Sequence, residues 1–214
     1  MQIFLDIATE AALSAGVVLQ NYLGKLEDTI TEKGRPGDLV TAADKASEQV
    51  ILELLRRHFP QHSILAEESG KLGNQDHDFL WAIDPLDGTT NYAHQYPCFA
   101  VSIGLLIQGI PKVGVIYDPF RDELFRAGAG LGATRNRRLI HVSQTAELNK
   151  SLLSSGFAYD RRETADNNYA EFCHLTHLTQ GVRRGGAAAG LARMAPARRS
   201  EEHTSELQSR QYLV

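Results

Sequence analysis

The sequence predicts a mixed α/β chain built from layers of helix and sheet. Two segments near the N-terminus show helical apolar spacing. Short apolar runs bounded by Gly, Pro, Asn and Asp recur further on, and the two kinds are interspersed along the chain. The 214 residues suffice for one sizeable domain or two small ones. With 43% hydrophobic and 22% charged residues, the composition is that of an ordinary globular protein able to fill a core. A formal net charge of −4 supplies no basic field, which argues against nucleic-acid and membrane-surface roles.

In chain order, Ile3, Phe4, Ile7, Ala11, Ala15, Val18, Leu19 and Tyr22 recur at helical spacing, so residues 3–22 predict an amphipathic helix that Gly24 ends. Its polar face is not basic, which disfavours a membrane-surface helix and favours core packing. Asp6 and Glu10 interrupt the apolar stretch and no basic segment precedes it, so neither a transmembrane nor a secretory segment is expected and the expected location is cytoplasmic. Residues 26–40, with Gly34, Pro36 and Gly37, predict a hairpin or a mobile loop. Thr41 is placed to cap a second helix running to about His58, with Asp44 in its first turn and Phe59-Pro60 as the stop. Taken alone, Asp44 is a charge compensating a helix start.

Ser63 to Ala66 predicts a short strand ending in Glu67-Glu68, followed by a polar loop from Gly70 to Asp78. Adjacent carboxylates repel one another unless a cation stands near them. Phe79 to Ile83 is an apolar run that predicts a buried strand, expected to stop where Pro85 separates Asp84 from Asp87. Gly88 permits a tight turn, and Thr89 or Thr90 can cap a short helix after it. Two acids, a tight turn and a helix start together offer oxygen ligands for a hard cation beside amides suited to phosphate. A bare Asp-Gly, by contrast, is a common turn.

Phe99 to Ile107 and Val113 to Tyr117 predict a hairpin. Glu123 to Ala127 and Leu139 to Val142 predict another, with Gly128, Gly130 and Gly132 in its connection. That glycine series lacks the strand–turn–helix setting of a dinucleotide site. Ser151 to Phe157 predicts a strand and Asn168 to Thr179 a helix closed by Gly181. His174 and His177 share one face of that helix, but no third ligand accompanies them, so surface histidines are the simpler reading. Cys98 and Cys173 fit buried thiols in a reducing compartment.

The string Asp84-Pro85-Leu86-Asp87-Gly88-Thr89-Thr90-Asn91 resembles the signature of the inositol monophosphatase family of magnesium-dependent, lithium-sensitive phosphatases. Lys33…Asp38-Leu39-Val40-Thr41-Ala42-Ala43-Asp44 resembles the family's second signature. The order strand, Glu67-Glu68, loop, strand, Asp-x-x-Asp matches its acid clusters, and Gly181 to Ala189 resembles a third signature. The resemblance implies the sugar-phosphatase type of alternating helix and sheet layers, and hydrolysis of a phosphate monoester, foremost myo-inositol monophosphate. It also implies two or three magnesium ions. By this likeness Glu67, Asp84 and the Leu86 carbonyl hold one ion. Asp84 and Asp87 share another, and Glu68 supports the site. Asp44 orients Thr89, which binds the attacking water, while Glu67 helps take its proton. Gly88 and Thr89 amides hold phosphate. Asp87, Arg183 and the Ala188 backbone face the phosphorylated polyol substrate, and the Lys33 loop is either solvated or carries a third, weak ion site. Relatives with this signature act on histidinol phosphate, fructose bisphosphate or 3′-phosphoadenosine nucleotides. Members are commonly homodimers, and some bacterial members serve as RNA polymerase accessory factors without needing catalysis. No membrane partner is expected.

The resemblance covers residues 1–189, an incomplete family domain. From Gly190 to Arg198 the chain is small and basic, and Arg199 to Ser209 resembles one reading frame of a sequencing adapter. Residues 190–214 are therefore expected to be a non-family tail from a frameshift or adapter. The family's last metal ligand sits in a Trp-Asp pair, which this sequence lacks, since Trp81 is followed by Ala82. A glutamate contacting the inositol ring also belongs to the missing part. An inactive truncated product is thus an alternative outcome.

Overall fold

The computed structural model describes residues 1–25, 31–32, 39–73, 78–157, 161–165, 167–184 and 188. The Lys33 loop, the latter part of the Gly70–Asp78 segment, residues 185–187 and the 190–214 tail lie outside the described residues. Two compact units divide the chain, residues 1–140 and 141–214.

In the first unit, α1 (Gln2–Tyr22) precedes β1 (Thr31–Glu32) and β2 (Leu39–Val40), which pair antiparallel as the expected hairpin. Then come α2 (Ala42–His58), β3 (Ser63–Ala66), β4 (Gly70–Leu72), β5 (Phe79–Asp87) and α3 (Thr89–Ala93). Five further strands follow: β6 (Ala100–Ile107), β7 (Ile110–Asp118), β8 (Glu123–Gly128), β9 (Gly132–Arg135) and β10 (Arg138–Ile140). One eight-stranded sheet runs β10-β9-β8-β7-β6-β5-β3-β4. Every pairing in it is antiparallel except β3 with β5. The mixed α/β class is the one the sequence predicts.

Helix α1 lays Leu5, Ala8, Ala11, Ala12, Ala15 and Leu19 into the core, with α2 beside it. Small residues let it come close to the sheet. A Cβ at Gly16 would lie 2.4 Å from Tyr117 Cε1 of β7, so glycine is required by contact there. Among the described residues α1 is the one helix long and apolar enough to cross a bilayer, yet half of its most apolar stretch is buried inside the molecule. Trp81, Tyr92 and Phe99 are fully buried. The Tyr92 hydroxyl donates to the Leu19 carbonyl at 2.6 Å, which ties α3 to the end of α1, and burial and the nearby Asp44 charge raise its pKa.

Several local expectations need correction. Strand β5 does not stop at Asp84. It runs to Asp87 through a bulge in which Asp84 faces Ser102 and Asp87 faces Ala100, so three steps on β5 match two on β6. Pro85 sits inside the bulge, where an absent N–H costs no ladder bond. Gly70 to Leu72 is a strand, because it folds back along β3. The glycine connection after β8 holds β9, turned about Gly130 and Gly132 at positive φ. Gly88, not a threonine, is the N-cap of α3. Cys98 is buried, but Cys173 is exposed.

In the second unit, β11 (Leu152–Ser154) pairs in parallel with β12 (Gly181–Arg183), joined through α4 (Tyr169–Leu178). Gly181 therefore opens a strand, and Thr179 is the C-cap of the helix. Strand β11 is shorter than the predicted 151–157 run. His174 and His177 are both exposed on α4.

Candidate active site

Parallel pairing of β3 with β5 decides where the acids go. Ala66 is the register partner of Ile83, and the Glu67 amide donates to the Ile83 carbonyl at 3.2 Å. Both strands therefore end at the same edge, and Glu67 emerges beside Asp84. The twelve residues 67–78 between the strands match the length that a parallel crossover needs. Exposure falls inward: Glu67 is exposed, Asp84 half-buried and Asp87 buried.

Burial raises the Asp84 pKa well above the usual carboxylate range, and the charges of Glu67 and Asp87 raise it further. A hydrogen bond with Glu67 acts in the same direction, while the Leu86 amide, donating to Asp84 Oδ1 at 3.1 Å, acts against it. Burial and two like charges thus work against the ionised form of Asp84. Among the described residues no three acidic, histidine or cysteine side chains are grouped so that they could hold a metal ion by themselves. The cluster is instead a hydrogen-bonded pair with a third acid acting on it by charge. Oxygen-only donors with mutually repelling charges fit a hard divalent cation, which would relieve that repulsion.

Next to the acids, the chain bends through Gly88 at φ +89°, and a Cβ there would lie 2.9 Å from the Cys98 carbonyl. That turn starts α3 with Thr89 pointing inward. The buried Thr89 hydroxyl lies 3.1 Å from Asp44 Oδ1 and 3.1 Å from the Leu86 carbonyl. Asp44 is fully buried and belongs to a capping box. Its Oδ2 accepts from the Thr41 amide at 2.8 Å and the Thr41 hydroxyl at 2.6 Å, while the Ala43 amide donates to Thr41 Oγ1. Asp44 therefore both caps α2 and fixes Thr89, so the two readings of this residue are compatible.

The fold brings Asp44, Glu67, Asp84, Leu86, Asp87, Gly88 and Thr89 together at the C-terminal ends of β3 and β5. Glu68 enters through its amide, which donates to Glu48 Oε2 at 2.8 Å. Arg183 and Ala188 belong to the second unit, where Arg183 is exposed at the end of β12 with Nη1 3.3 Å from the Val182 carbonyl. Two buried polar residues escaped the sequence reading. Ser47 donates to the Pro85 carbonyl at 3.0 Å, and Glu48 holds the turn after β3. Stepping the α2 stripe back from Leu55 through Ile51 and Leu52 reaches Ser47, Glu48 and Asp44, so polar residues at core-facing positions were the available signal.

The sequence profile of the inositol monophosphatase family matches residues 1–198. The chain belongs to that family. It is 65% identical over 189 residues to the inositol-1-monophosphatase of Synechocystis sp. (strain PCC 6803), covering 88% of this chain and 66% of that relative. Thus the chain spans just under two thirds of that relative's length. It is also 40% identical over 200 residues to the Nus factor SuhB of Escherichia coli (strain K12), covering 92% of this chain and 74% of the relative. The solved inositol monophosphatase from Anabaena (Nostoc) sp. PCC 7120 superposes with a TM-score of 0.82 at 74% identity, over 92% of this chain and 73% of that one. The layered α/β fold is therefore the family's.

Proposed function

We propose that this chain carries the site of a magnesium-dependent phosphate monoester hydrolase acting foremost on myo-inositol monophosphate. The observation that carries the reading is the meeting of Glu67, Asp84 and Asp87 beside the Asp44–Thr89 pair. Glu67, Asp84 and the Leu86 carbonyl would hold one magnesium and Asp84 with Asp87 a second, Glu68 supporting them. Magnesium bound there supplies positive charge for phosphoryl oxygens and lowers the pKa of water. Asp44, held by Thr41, accepts the hydrogen bond of the Thr89 hydroxyl, which would leave the Thr89 oxygen lone pairs to orient a water. Glu67, the most exposed of the three acids Glu67, Asp84 and Asp87, would accept a proton from it. The Gly88 and Thr89 amides would bind the phosphate, with the bulge and positive φ fixing their direction in advance. Arg183, Ala188 and Asp87 would face the polyol. The cytoplasm and a homodimer are the settings that fit this reading.

The test is inorganic phosphate release from myo-inositol 1-phosphate, histidinol phosphate, fructose bisphosphate and 3′-phosphoadenosine nucleotides, with magnesium and with chelator. It is run on the 214-residue chain and on residues 1–189 joined to the C-terminal remainder of the Synechocystis relative. Magnesium-dependent release, fastest with the inositol ester, is expected of the fusion. Release by neither protein from any ester would sink the reading, and release by the fusion alone would identify the short chain as an inactive product. Similarity to the Nus factor SuhB favours a second reading, an RNA polymerase accessory role, which copurification with the polymerase would reveal.

A further inference from the structure

The N-terminal half of α2 reaches every segment that carries the acids. Asp44 bonds Thr89 after β5, Ser47 bonds the Pro85 carbonyl within the bulge, and Glu48 bonds the turn after β3. These three side chains share the face that Ile51, Leu52 and Leu55 continue into the core, so the buried stripe changes from polar to apolar along one helix. Glu48 is only 3% exposed, a burial that glutamate tolerates only when its oxygens are occupied. Both are: Oε2 accepts from the Glu68 amide at 2.8 Å, and Oε1 accepts from the Ser69 hydroxyl. The bonded amide belongs to the peptide that follows Glu67. Its other neighbour, the Glu67 amide, is tied to Ile83. Glu67 is thus held on both sides, once by the sheet and once by α2.

We propose that Glu48 is a positioning residue that fixes the Glu67–Ser69 turn, so that the Glu67 carboxylate meets Asp84 and the two can take up a divalent cation together. The inference rests on the phosphatase reading for its purpose, and on Glu48's own hydrogen bonds for its mechanism. Reach, not charge, is what the geometry requires. A glutamine at this position can accept from the Glu68 amide and donate to Ser69, whose exposed hydroxyl is able to turn. An aspartate keeps the charge but is one methylene short of both partners.

The experiment uses the 214-residue chain and its Glu48→Asp and Glu48→Gln variants, both conservative enough to fold. It reads the magnesium concentration giving half of the magnesium-dependent rise in melting temperature, and the hydrogen-exchange rate of the Glu68 amide. Glu48→Asp is expected to raise the half-point about tenfold or more, as lost support behind metal ligands does, and to speed Glu68 exchange. Glu48→Gln is expected to stay near the parent in both. Parental values for Glu48→Asp, or a loss in Glu48→Gln as large as in Glu48→Asp, would overturn the proposal. A parent without any magnesium response would overturn the cation uptake assigned to Glu67 and Asp84 in this chain, while the phosphatase reading itself stands or falls on phosphate release by the fusion. Glu68 exchange needs no metal and would then decide for or against Glu48 by itself.

Discussion

The acid-bearing ends of β3 and β5 reach the same place by different means. At β5 the device is mostly local: a bulge that accommodates Pro85, an Asp84 side chain bonded to the Leu86 amide, and a glycine at positive φ two residues after Leu86. At β3 almost nothing local fixes Glu67. Its own amide is held by a carbonyl sixteen residues downstream, and the next amide by a glutamate twenty residues upstream, on another element. A strand end built from its own sequence can be recognised as a motif, whereas one held by borrowed contacts has no local signature. The difference also separates roles, since β5 supplies the more enclosed carboxyls and β3 the exposed one.

The largest effect is expected at Asp84. In the family-length fusion, Asp84→Asn is expected to lower magnesium-dependent phosphate release by on the order of 10³-fold, measured at saturating substrate. Without metal the same change should stabilise the fold. The folded chain holds the Asp84 proton more tightly than the unfolded chain does, so metal-free stability falls as pH rises above the ordinary aspartate range. Denaturant midpoints across pH should show that fall in the parent and a flatter line in Asp84→Asn. A parent midpoint independent of pH would contradict the assigned burial and repulsion.

Gly88→Ala attacks the local device without touching charge. The residue sits at φ +89° and its added Cβ would press on the Cys98 carbonyl, so a loss of about 3 kcal/mol is expected in urea unfolding. Ser47→Ala then tests how much β5 depends on α2. It strips a buried carbonyl of its donor, and about 1–2 kcal/mol should be lost with little change in magnesium half-point. The smallest effect is expected of Thr41→Ala, about 1 kcal/mol for the missing cap. If Ser47→Ala were to cost more than Gly88→Ala, the β5 end would be no more self-sufficient than the β3 end.

Much of the fold was legible because its signals are local. Helical spacing gave α1 within one residue, and Thr41 with Asp44 announced α2 through a capping box that the structure contains. Misreadings arose where a distant partner overrode local preference. Pro85 reads as a strand stop, yet β6 pairs on both sides of it, and Gly70 to Leu72 reads as loop until β3 offers an edge. Ser47 and Glu48 stand at core-facing positions of α2, but their partners, the Pro85 carbonyl and the turn after β3, are set only by packing.

By itself the sequence determined which residues carry charge and where the backbone must turn, because carboxylates, a glycine at positive φ and a helix cap express their chemistry over a few residues. The tertiary structure alone decided that Glu67 would stand beside Asp84. That meeting follows from the parallel register of β3 and β5 and from Glu48 on α2, contacts between segments far apart in the chain that no short stretch encodes.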